Sequence, residues 1–341
     1  MPTHSFRPPA GRLVEIEITS RALADNLLGD PACRRVAVYL PEGYDASSEH
    51  YPVFVDLVGF TGSGFSHLGF KAFQETLPQR LDRLVADGRM GPVIAVFPDC
   101  FTSLGGNQYV NSLAMGRWAD FLVLEMLPHI ETAFRARPGR GNRAVFGKSS
   151  GAYGAIVHGL RYAEHWGAVA CHSGDMAFDL VYRPDFPRAL KLLAKHDGVS
   201  GFLAHLDSAE KVSSDEMHGL MILAMGATYD PDPAAPKGIR LPVDLHTGAL
   251  DEVAWARWLA HDPVVLVEDP TCQENLRRLS GVYIDCGSKD QYNLVYGARQ
   301  LVARLEALDI PHHYEEFDDN HSGIDYRMDR SLPWLYRAIA G

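Results

Sequence analysis

The sequence predicts an α/β fold: a mostly parallel central sheet flanked by helices, with a mainly helical segment inserted at residues 176–264. Three observations predict it. Short β-rich runs alternate with helical patterns along the 341 residues, as a parallel sheet with crossover helices requires. The middle runs are continuously apolar, which fits strands covered on both faces. About ninety residues then separate two strand runs and hold helical fragments without a convincing strand pair, where an ordinary crossover needs far fewer.

Taken in order, LVEIEITS (13–20) alternates apolar and polar residues, the pattern of a half-exposed edge strand. RVAVYLPEGYD (35–45) is a second strand running into a Pro/Gly turn. PVFVDLVG (52–59), PVIAVFP (92–98) and RAVFG (143–147) are continuously apolar, and WGAVACHSG (166–174), GVYIDCGS (281–288) and HHYEEF (312–317) complete the series. Helical periodicity appears in residues 119–134 and 295–309. The core is therefore expected over 1–175 and 265–341. Residues 176–264, which include YDPDPAAPKG (229–238), form a cap or lid over the reactive edge of the sheet.

Composition narrows the function. With 46% hydrophobic and 22% charged residues, the chain is an ordinary globular protein of one large domain or two smaller ones. A net charge of -11 without any basic run argues against nucleic acid, which needs clustered Lys and Arg. The N-terminus lacks the charged-then-apolar pattern of a secretory signal. The apolar run GLMILAMGA (219–227) is far too short for a bilayer, so no membrane partner is expected. Five scattered cysteines without a C-x-x-C pair predict reduced thiols in a cytoplasmic protein. Cys171 and Cys286 read as buried small hydrophobes. Neither a disulfide nor a metal site is expected.

The chemistry is expected at VFGKSSGAYGA (145–155), where G-x-S-x-G falls after an apolar strand and before a helical run and makes Ser149 the central serine. A nucleophile held at such a turn sits in a strained backbone, and its flanking positions must be small. The alternative is a glycine-lined turn without chemistry. A serine hydroxyl needs a base, and the order Ser, then Asp or Glu, then His belongs to this arrangement. Asp285 and Asp290 both follow the run GVYI. Asp285 lies within the strand, with its side chain toward the covering layers. Asp290 lies in the loop beyond, where function collects in open α/β sheets. His321, four residues after Phe317 in FDDNHSG, has the right place for the base, whereas Asp318 and Asp319 read as loop residues.

An oxyanion hole is expected from the backbone N–H of Ser150 and an N–H of Phe60 or Thr61 in VGFTGSG (58–64). In the loop DCFTSLGGNQYVNS (99–112), Gln108, Tyr109 and Asn111 either line the pocket or anchor the loop. Trp255 and Trp258 are candidate pocket walls, with aromatic core packing as the alternative.

With these residues laid out, the chain resembles the Putative esterase family of α/β-hydrolases, which includes S-formylglutathione hydrolases, enterochelin-type esterases and feruloyl esterases. The resemblance runs from RRVAVYLPEGYD through YPVFVDLVGFTGSG and VFGKSSGAYGA to DCGSKDQYN and NHSG. It implies an α/β-hydrolase fold with Ser149 as nucleophile, Asp290 as acid and His321 as base. The oxyanion loop reads LVGFTG where many relatives carry His-Gly, and the insertion is long for the family. The reading is a serine ester hydrolase of carboxylesterase type, working through an acyl-enzyme on a small-molecule ester or thioester without cofactor. Its rivals are an acyltransferase with the same triad and a non-catalytic binding protein on the same fold. A homodimer is common for such folds.

Overall fold

The computed structural model describes residues 4–340. Eight strands form one sheet: β1 (Arg12–Thr19), β2 (Cys33–Leu40), β3 (Val53–Leu57), β4 (Ile94–Pro98), β5 (Arg143–Lys148), β6 (Ala168–His172), β7 (Gly281–Gly287) and β8 (His313–Phe317). Their spatial order is β1-β2-β4-β3-β5-β6-β7-β8. Strand β2 runs antiparallel to both its neighbours, and all pairings from β4 to β8 are parallel. Each predicted run supplies one strand, and the fold is that of the α/β-hydrolases.

The helices used below are α1 (Leu77–Ala86), α2 (Ser150–Arg161), α3 (Phe186–Lys195), α4 (Val199–Ser208), α5 (Ser214–Tyr229), α6 (Glu252–Leu259), α7 (Leu294–Ala307) and α8 (Met328–Ala340). The apolar strand runs are explained by coverage of both sheet faces. Val53, Val55 and Leu57 of β3 pack on one face with Val36, Val145 and Val169, beneath residues such as Ile156 of α2 and Leu301 of α7. Phe54 points the other way and packs with Phe97 and Phe146 beneath Leu81 of α1 and Leu335 of α8. Side chains one residue apart thus enter two cores, so neither face leaves room for polar alternation. Strand β1, at the edge, keeps the alternation.

Local signals fix the covering helices. The start of α1 is a reciprocal cap: the Gln79 amide donates to Thr76 Oγ1 at 3.3 Å, and the Thr76 amide donates to Gln79 Oε1 at 2.8 Å. Its Leu77, Leu81 and Leu84 follow at helical spacing on the buried face. The helix expected over 119–134 forms, but as Trp118–Asp120, a π-helical segment Phe121–Met126 and Leu127–Ala133. Pro128 has no N–H to donate to the Leu124 carbonyl, and the helix widens in the turn before it.

Residues 176–264 hold the short helix Phe178–Val181 and α3 to α6. An aromatic group of Tyr182, Phe186, Tyr229, Trp255 and Trp258 forms their packed interior. Among the described residues no helix is long and apolar enough to cross a membrane.

Candidate active site

Parallel strands send all their C-terminal loops to one edge of the sheet, where α/β proteins collect their function. Ser149 stands at that edge between β5 and α2 with φ 57° and ψ −124°, a conformation costing roughly 1–3 kcal/mol for a residue with a side chain. One tertiary and one helical hydrogen bond hold it there. The Ser149 amide donates to the His172 carbonyl at 3.0 Å, and the Ser149 carbonyl accepts from the Tyr153 amide at 2.9 Å. The flanking glycines are dictated by the close passage of β3. A Cβ on Gly147 would lie 2.3 Å from the Leu57 carbonyl oxygen, and one on Gly151 would lie 1.9 Å from the same atom.

Two further loops bring the acid and the histidine together. Asp290, 7% exposed, follows β7; its Oδ1 accepts from the Tyr292 amide at 2.9 Å. Its Oδ2 lies 2.8 Å from Nδ1 of His321. The loop carrying His321 is tied to the β7 loop. Ser288 N–H donates to Phe317 O at 2.8 Å, Lys289 N–H to Asp319 O at 2.9 Å, and His321 N–H to Gln291 Oε1 at 3.0 Å. The Tyr292 ring meets the His321 ring edge-on at 4.9 Å. The competing carboxylates are engaged elsewhere. Asp285 is fully buried against His172 Nδ1 at 2.7 Å and Arg327 Nε at 2.9 Å. Asp318 pairs with exposed Lys289 at 2.6 Å, and Asp319 accepts from the Asn320 amide and the Tyr326 hydroxyl.

The loop after β3 passes directly over the serine. It turns at Gly59–Gly62, where the Gly62 amide donates to the Gly59 carbonyl at 3.0 Å. A Cβ on Gly59 would lie 3.3 Å from Ser149 Cβ. The Phe60 side chain is buried and Thr61 is exposed. The Ser150 amide opens α2, where N–H groups lack intrahelical acceptors and the helix dipole favours negative charge. Ser149, Ser150, His321, Phe60 and Thr61 all line one cavity of about 440 Å³.

Three sequence expectations for this cavity are corrected. Gln108, Tyr109 and Trp255 do not line it. Tyr109 is buried behind the β3 loop and donates its hydroxyl to the Val58 carbonyl at 2.6 Å, while a Cβ on Gly154 would meet its ring at 2.6 Å. It anchors the loop. Gln108 is buried one layer back, donating to Ser150 Oγ at 2.9 Å. Trp255 sits edge-on to Phe186 at 5.6 Å in the aromatic interior of 176–264 and donates to Asp179 at 3.2 Å.

The cavity also holds groups that the sequence reading missed. Asp175, just beyond β6, is buried and accepts on Oδ2 from the Tyr182 hydroxyl at 2.9 Å and from Gln108 Nε2 at 3.3 Å. Burial raises its carboxyl above the usual range. The signal was present as the polar residue closing ACHSGD, at the end of a strand on the reactive edge. Lys148, the variable residue of the serine motif, faces the cavity too, and burial lowers its ammonium pKa. His67 stands 2.5 Å from Asp56 Oδ2; burial pulls its imidazole down, but the Asp56 charge and hydrogen bond outweigh that and raise it. Val181, Met217, Met221 and Leu294 supply an apolar wall.

The family model described as Putative esterase matches residues 31–329. Esterase Rv1288 of Mycobacterium tuberculosis (strain ATCC 25618 / H37Rv) is 30% identical over 141 residues, which cover 41% of this chain and 28% of that protein. The match thus spans well under two thirds of that relative's length. Among solved structures, a ferulic acid esterase superposes with a TM-score of 0.62 at 20% identity, covering 96% of this chain and 98% of the other. An S-formylglutathione hydrolase from Staphylococcus aureus superposes with a TM-score of 0.59 at 13% identity, covering 96% and 99%. At these identities the likeness to solved structures is one of fold.

Proposed function

The chain belongs to the Putative esterase family, and we propose that it is an ester-cleaving enzyme working by a Ser149–His321–Asp290 triad through an acyl-enzyme. The observation carrying this reading is the Asp290–His321 contact at 2.8 Å, made on the cavity that the strained Ser149 also lines. A carboxylate on Nδ1 fixes the tautomer that leaves Nε2 free to accept a proton.

His321 removes the Ser149 proton as Oγ attacks the ester carbonyl. The oxyanion is held by the Ser150 amide and an amide of Phe60 or Thr61; a single such donor contributes roughly 3–4 kcal/mol to the transition state. His321 then passes its proton to the leaving alcohol, and water, deprotonated by the same imidazole, releases the acid. Asp290 stabilises the imidazolium in both steps.

Residues 176–264 act as a cap over this site. The support is the cavity wall, to which that segment contributes Val181, Tyr182, Met217 and Met221. A cavity of about 440 Å³ with one apolar wall suits a small-molecule ester. Rapid mixing with a p-nitrophenyl ester tests the mechanism. The expected result is a burst of nitrophenol approaching one equivalent per chain, absent in Ser149→Ala; a burst that survives the substitution overturns it.

A further inference from the structure

Sequence reading expects no metal site, because no short motif of ligating residues is present. The fold brings three such residues together in the segment 176–264: His196, which ends α3, His205 in the last turn of α4, and Glu216 in the first turn of α5. Among the described residues this is the one grouping of three His, Cys, Asp or Glu side chains close enough to share a metal ion, with one ligand atom from each within 4.8 Å of the others.

The turn between α3 and α4 is built for this approach. Asp197 and Gly198 take positive φ values of 56° and 96°, and a Cβ on Gly201 would fall 1.8 Å from the His196 carbonyl oxygen. The chain therefore folds back sharply enough for the His196 and His205 rings to stack at 4.3 Å. His205 Nε2 lies 2.7 Å from Glu216 Oε1, and the other carboxylate oxygen accepts from the Ser213 amide at 2.7 Å. Nε2 of His196 is buried without any hydrogen-bond partner, and a polar atom in that state calls for one.

We propose that His196, His205 and Glu216 bind one divalent transition-metal ion of the zinc class, which ties α3, α4 and α5 together. Two imidazoles and one carboxylate, with a fourth position left to water, suit zinc, whereas calcium and magnesium favour oxygen ligands. The Glu216 carboxylate is charged at neutral pH, as an ordinary glutamate is. The Ser213 contact orients it, as outer partners of metal ligands do. The consequence reaches the active site: Met217 follows Glu216 directly, Met221 lies one turn further along α5, and both line the catalytic cavity. The ion stiffens that wall. The proposal is independent of the esterase mechanism.

Tag-free protein, stripped with a chelator and dialysed, is titrated with zinc chloride by calorimetry and, separately, with cobalt(II) while its visible absorption is recorded. The expected result is one equivalent bound, an intense tetrahedral cobalt spectrum, and affinity at least tenfold weaker in both His205→Ala and Glu216→Gln. Absence of binding, or a weak octahedral cobalt spectrum in the wild type, overturns the proposal, as does wild-type affinity in a His205→Ala/Glu216→Gln double variant. The cobalt spectrum decides the matter on wild-type protein even where a variant fails to fold.

Discussion

Asp290 Oδ2 and His321 Nδ1 lie 2.8 Å apart although 31 residues separate them in sequence, because β7 and β8 are parallel neighbours whose loops leave on the same edge. Asp290→Asn keeps the side chain's shape but presents the wrong partner to the imidazole. A drop of about 10⁴-fold in kcat is expected, as for a triad whose histidine is held in the wrong tautomer. Steady-state kinetics beside a thermal melt would check this; unchanged kcat in a folded variant contradicts the role of Asp290.

Gly151→Ala tests the steric account of the serine turn. The new methyl would fall 1.9 Å from the Leu57 carbonyl, so β3 or α2 must shift. Overpacking of this kind costs roughly 1–3 kcal/mol. A lowered Tm together with lost turnover is expected; a wild-type melt would show that the close approach of β3 does not constrain this position.

Much of this was legible in the sequence, for identifiable reasons. The middle strand runs stood out because two-sided burial makes them continuously apolar, the first because it alternates at the sheet edge, and Ser149 because Gly147 and Gly151 have no room for a side chain. Asp290 could be preferred to Asp285 because one lies past the strand and the other inside it. What was not legible depends on contacts between distant segments. Tyr109 and Trp255 look like pocket aromatics from composition alone, yet the first braces Val58 and the second packs on Phe186. Asp175 was missed because one of its hydrogen bonds comes from Gln108 in a loop 67 residues away, and the other from Tyr182 in the turn after the short helix Phe178–Val181, which brings that hydroxyl back to it.

His158 makes stability sensitive to acid. It is fully buried, accepts from Trp166 Nε1 on Nδ1 at 3.0 Å and donates from Nε2 to the Tyr109 carbonyl at 2.9 Å. Burial pushes its pKa down to about 4. Between that value and the ordinary value of about 6.5 the unfolded chain binds a proton that the folded chain does not, so stability falls as pH falls, by ~3 kcal/mol across the window. In His158→Gln the loss of urea stability between pH 7 and pH 4 is expected to be smaller than in the wild type by about that amount. Equal losses in both proteins would contradict the assignment.

Asp175 acts in the opposite direction. Its carboxyl is raised by burial, so the folded chain holds the proton to higher pH than the unfolded chain does, and this group's contribution weakens as pH rises through that range. Asp175→Asn removes the titration while keeping an acceptor for Tyr182 and Gln108. Relative to wild type, its Tm is expected to be higher at pH 7 than at pH 4. A difference in Tm that does not change with pH would contradict the shift.

The proposed mechanism stands on Ser149 as the nucleophile. Its most direct test is to label the wild type and Ser149→Ala with a fluorophosphonate probe and locate the adduct by peptide mass spectrometry, with ester turnover measured alongside. One adduct is expected, on Ser149 and absent in the variant, with a loss of turnover on the order of 10⁶-fold. An adduct on another residue, or a wild type that turns over esters without labelling at Ser149, would contradict it.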